Sequence, residues 1–115
     1  MLMDTFPILP ADAMAVSMLC RNSLTVRQVQ LAQRGLRHLS PSWTVACCES
    51  CEADLFLDVS RAQPNGHDVS FIIHAQDDAV HVLRMTDDVD TTLGHFDGMA
   101  QAVRVVLEAI ETDTA

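Results

Sequence analysis

Residues 46–62 read ACCESCEADLFLDVSRA and hold three of the chain's four cysteines. How they are read decides the fold. With a period of two, Leu55, Leu57 and Val59 point one way while Asp54, Asp58 and Ser60 point the other, the pattern of a half-buried strand. With a period of 3.6, Cys51, Leu55, Val59 and Ala62 form a helical stripe, but Leu57 is left on the polar side. Phe56 sits better in the helix than on the polar face of the strand. The surroundings favour the strand.

Working outward, four strand-like runs recur at near-regular spacing: Trp43 to Cys47, Leu55 to Val59, Val69 to His74 and Val80 to Met85. Turn chemistry separates them at Glu49-Ser50, Pro64-Asn65-Gly66 and Asp77-Asp78, which is the signature of an antiparallel meander. Before the strands, a short helix is expected over 11–21, entered through Pro10. A second is expected over 26–39, opened by Thr25-Val-Arg-Gln28, a capping box in which Thr and Gln exchange bonds with free backbone amides. After them, residues 98–111 carry the stripe Met99, Ala102, Val103, Val106, Leu107 and Ile110, with Asp97 as the expected cap.

The expected fold is therefore α+β: two N-terminal helices, a four-stranded antiparallel meander sheet and one C-terminal helix, in two layers. One domain spans 1–115, with 1–9 and 112–115 as loose ends. If residues 51–62 were helical instead, the order would become strand, C-x-x-C, helix, hairpin, helix, which resembles a thioredoxin-type active site in outline. Against that resemblance, His67-Asp68 stands where the family places a cis-proline, and Glu49 between the thiols opposes their activation.

Composition narrows the classes of function. The chain has 115 residues, 49% hydrophobic, with a net charge of −9 and no lysine among its seven basic residues. An acidic surface disfavours nucleic acid and anionic membranes. Four Phe, one Trp and no Tyr leave little for stacking on bases. The first residues lack the basic segment of a signal peptide, and no apolar run approaches a membrane span. A reducing cytoplasm is the expected setting, with the cysteines as thiols.

Charge is distributed unevenly. No acid falls between Asp12 and Glu49, where Arg21, Arg27, Arg34 and Arg37 lie, whereas 14 of the 16 acids follow from Glu49 onward. A helix–turn–helix could be argued from residues 11–39, with Arg27, Gln28 and Gln30 as base readers, but the acidic remainder would repel DNA. The pattern suits contact with an acidic protein surface through Arg27, Arg34 and Arg37.

Candidate chemical groups are few. Cys48 and Cys51 form a lone C-x-x-C, and a structural zinc there would need two further ligands. A hairpin turning about Asp77-Asp78 would set His74 directly across from His81, with Cβ atoms roughly 5 Å apart, a pair that could bind a metal ion or respond to pH. That face would also carry Ser70, Ile72, Leu83 and Met85, while Val69, Phe71, Ile73, Ala75, Val80 and Val82 form the core face. Asp87, Asp88 and Asp90 could form a cation loop but lack the glycine and bidentate Glu of an EF-hand.

The function expected from these features is a small acidic cytoplasmic protein-binding or regulatory module without catalysis. It would be a homodimer joined through Ile72, Leu83 and Met85. The alternatives are a thiol-redox or metal protein using Cys48 and Cys51, and a small-ligand sensor on the sheet face near His74 and His81.

Overall fold

The computed structural model describes residues 22–39, 41–61, 68–87 and 89–114. Five strands form one antiparallel sheet in chain order: β1 (Thr44–Glu49), β2 (Leu55–Arg61), β3 (Val69–Gln76), β4 (Ala79–Met85) and β5 (Asp90–Phe96). Two helices complete the described fold, α1 (Val26–Leu36) ahead of the sheet and α2 (Met99–Thr114) after it. The class is α+β, as the sequence implies. The helix expected over 11–21 lies outside the described residues.

Residues 51–62 do not form a helix. Cys51 to Asp54 make a turn and β2 follows, paired with β1 from Thr44↔Ser60 to Glu49↔Leu55. Ser50 builds that turn: its Oγ accepts from the amides of Glu52 and Asp54, and Ala53 turns the chain at φ 65°. The thioredoxin-like order, which needs a helix after the C-x-x-C, is replaced by a plain meander.

The sheet has five strands where four were expected. The missing one, β5, reads DTTLGHF and is exposed along most of its length. Its alternation is broken by a register shift opposite Val82 and Leu83, where Val82 pairs with Gly94 and Leu83 with Thr92. An edge strand with a bulge keeps neither the apolar face nor the period of a central one. Ahead of it, Thr86 and Val89 close a tight turn through Thr86 Oγ1, and Asp90, one of the acids of the possible cation loop, opens β5.

Both described helices pack on one face of the sheet. Val29, Ala32 and Leu36 from α1 and Met99, Ala102, Val103, Val106 and Ile110 from α2 share a single core with Leu57, Val59, Phe71, Ile73, Val80 and Val82. Trp43 closes this core, its ring 5.8 Å from that of Phe71 and under the Arg61 guanidinium at 5.0 Å.

The helix ends follow local chemistry. Thr25 Oγ1 accepts from the Gln28 amide while Gln28 Oε1 accepts from the Thr25 amide, the capping box read in the sequence. α1 stops at Leu36 rather than 39, and Leu39 reaches the core from the loop, its amide donating to the Leu36 carbonyl. α2 starts at Met99, so Gly98 holds the cap position and Asp97 stands one residue outside it. Ahead of α1, the Leu24 amide donates to the Leu55 carbonyl and Ser23 Oγ accepts from the Leu55 amide, tying the helix entry to β2.

Candidate functional site

The candidate site lies on the sheet face opposite the helices, and the β3–β4 hairpin sets it up. Asp77 and Asp78 hold φ of 53° and 67°. Two consecutive positive-φ residues make the tight turn whose twist suits a hairpin. The turn sets the register, so Gln76 pairs with Ala79, Ala75 with Val80 and His74 with His81, as the sequence predicts. The imidazoles of His74 and His81 stack at 5.3 Å between ring centres.

β5 extends this pair into a row. His95 lies opposite His81, with its ring centre 5.5 Å away. Sequence reading missed His95 because it missed its strand; the available signal was the stretch Leu93-Gly-His-Phe96. The strand is held locally by Gly94, at φ 150°, across which the Phe96 ring lies so closely that a Cβ on Gly94 would come within 2.9 Å of it. Gly94 and Phe96 turn to the helix side, which leaves His95 on the open side.

Burial and the neighbouring His81 lower the His74 pKa, with an opposing backbone hydrogen bond at Ala75. Both effects favour the neutral imidazole at His74. At the other end, Cys48 pairs with Phe56, and continuing the β2–β3 register places Phe56 beside His74. One row across all five strands thus reads Cys48, Phe56, His74, His81, His95.

The next row is apolar with one acid in it. Asp58 pairs with Ala46 and Ile72, and Ile72 pairs with Leu83. Beyond it Ser60 pairs with Ser70 and Ser70 with Met85, which is 37% exposed. Ile72 and Leu83 are half-buried. The Asp58 Oδ1 atom is buried with no hydrogen-bond partner among the described residues, a costly state for an acceptor.

Among the described residues the cysteines show no sign of an activated thiol. Cys47, Cys48 and Cys51 are free thiols; Cys48 lies next to the end of β1 and Cys51 lies in the turn. Burial first, then the charges of Asp58 and Cys47, push the Cys48 thiol pKa up. A thiol readied for exchange has its pKa pulled down, and a helix N-terminus is the usual means. Here a turn and then β2 follow Cys51.

The arginines lie on the other layer. Arg27 and Arg34, with Gln30 and Leu31, line a polar hollow of about 170 Å³ on the outer side of α1, and exposed Arg37 follows at its C-cap. Ile72, Leu83 and Met85 face away from α1, so one flat contact cannot use both sets. The Gln28 side chain, a base reader in the helix–turn–helix alternative, is engaged in the cap.

Among the described residues no set of three or more His, Cys, Asp or Glu side chains is arranged to hold a metal ion, and no helix is long and apolar enough to cross a membrane. Comparison with protein-family models, curated proteins and solved structures finds no match to this chain.

Proposed function

We propose that the chain is a non-enzymatic protein-binding or regulatory module of the reducing cytoplasm, acting as a homodimer joined through the sheet face opposite the helices. The observation that carries this reading is the composition of that face. An antiparallel sheet with one solvated side normally turns polar residues outward. Here Phe56, Ile72 and Leu83 occupy the centre, and both described helices cover the other side.

The size is adequate. Five strands about 4.8 Å apart and roughly 23 Å long present about 550 Å² each before side-chain relief. Two such faces total about 1,100 Å², just under the 1,200–2,000 Å² range typical of specific interfaces, and side-chain relief adds to that flat figure. Free Cys47, Cys48 and Cys51 suit a reducing compartment.

Sedimentation tests the proposal. The protein should run as a dimer at micromolar concentration at low and high salt, and Leu83→Glu should give a folded monomer. A native protein that sediments as a monomer at both salts overturns the dimer.

A further inference from the structure

We propose that the row His74, His81, His95 is a chelating site for a divalent transition-metal ion, with His81 the constant ligand and His74 or His95 the second. The spacing of the rings carries the argument. A metal–nitrogen bond is about 2.0–2.1 Å, so a ring centre lies about 3.2 Å from a bound ion. Two imidazoles at a tetrahedral angle then have centres about 5.2 Å apart. The observed separations are 5.3 and 5.5 Å. Turning each nitrogen toward a shared ion needs rotation about χ2, which is a soft torsion in histidine. The strands need not move.

The same geometry limits the site to two histidines at a time. His74 and His95 stand two strand spacings apart, about 9.6 Å. Even a linear arrangement spans only about 6.4 Å between ring centres. This agrees with the absence of any three-ligand group among the described residues. Cys48 is likewise excluded, because Phe56 on β2 stands between it and His74 in the row. The remaining positions on the ion fall to water, or to the second copy where the face is paired.

Imidazole nitrogen selects Zn²⁺, Ni²⁺ and Cu²⁺ over the oxygen-seeking Mg²⁺ and Ca²⁺. The net charge of −9 raises the concentration of any cation near the chain. The site needs one chain only, so it stands apart from the dimer reading.

Calorimetric titration of the chelator-treated protein with Ni²⁺ or Zn²⁺ tests this. One ion per chain should bind with a micromolar constant, and Mg²⁺ should not bind at all. His81→Ala breaks both pairs and should weaken binding at least about tenfold, because the second ligand's effective concentration is lost. His74→Ala and His95→Ala singly should each cost only about twofold, since the other pair remains. Together they should match His81→Ala, while His38→Ala should change nothing.

A readout on the unaltered protein guards against variants that misfold: Zn²⁺ should shift the imidazole NMR signals of His81 and its two neighbours and spare His38. The two ideas fail separately: Leu83→Glu should still bind through His81 because the site needs one chain only, whereas a native protein that binds the ion yet sediments as a monomer overturns the dimer alone. Three outcomes overturn the site: a millimolar constant, as for a lone surface imidazole; binding that survives His81→Ala; or a thiolate-to-cobalt charge-transfer band on Co²⁺ addition, which would put the ion at the cysteines.

Discussion

The two faces of one sheet use adjacent residues for opposite purposes. Phe71 and Ile73 are wholly buried under α1 and α2, while Ile72 between them is half-buried on the other side. The helix side is built from Val, Leu, Ile, Phe and Ala with Trp43 at its edge, and no polar residue is buried among the described residues. The other side mixes Ile72 and Leu83 with three histidines, two serines and an acid whose Oδ1 is buried and unpartnered. Where packing alone is at stake, shape and apolar area decide each residue. Where imidazole, hydroxyl and carboxylate accompany the apolar groups, recognition is the better account of the composition.

The sharpest way to break this contrast is to truncate neighbours in β3. Phe71→Ala should cost about 3–5 kcal/mol, as other buried Phe truncations do. Ile72→Ala should cost about 1 kcal/mol or less at low protein concentration, because less of its area is removed from water in one chain. Urea midpoints at unchanged m-value would measure both. Equal losses would mean that the histidine-bearing face is covered as fully as the core.

A smaller effect is expected from the helix layer. Thr25→Ala removes the hydroxyl that accepts from the Gln28 amide, leaves the bond from the residue-25 amide to Gln28 Oε1, and should cost about 1 kcal/mol. The loss should be the same in the native protein and in Leu83→Glu, since α1 touches only the core face. A loss that depended on Leu83 would show the two faces to be coupled, and paired melts would reveal it.

The hairpin turn serves both faces, and the smallest change should come from there. Asp77 and Asp78 hold positive φ, which asparagine and glycine adopt more readily. Replacing the pair by Asn-Gly should raise stability by about 0.5 kcal/mol, read as a small upward shift in melting temperature. The His74–His81 register should be preserved, with cross-strand NMR contacts between them unchanged. A destabilised variant would mean that the two carboxylates hold the turn in some other way.

Part of the site could be read from the chain because it is local. A two-residue turn leaves only one register, so Asp77-Asp78 placed His74 across from His81 and separated Val69, Phe71 and Ile73 from Ile72. The capping box at Thr25 was legible for the same reason: its partners are three residues apart. The strand assignment of residues 55–61 needed slightly more, namely the spacing of neighbouring runs.

The remainder was decided by pairing between distant segments. β5 is a strand because β4 offers it a ladder, while its own Thr, Gly and His residues carry no strand period across the bulge. Without β5 there is no His95, and the histidine pair does not become a row. The separation of Arg27, Arg34 and Arg37 from Ile72, Leu83 and Met85 is likewise tertiary. The periodicity of α1 shows that it has an apolar stripe, Val29, Ala32 and Leu36, but not which sheet face that stripe will meet. Side-chain alternation and turn length are properties of a short stretch of backbone and can be read in order. Which edge of a sheet recruits a polar strand, and which face a helix covers, depend on area buried against residues far along the chain.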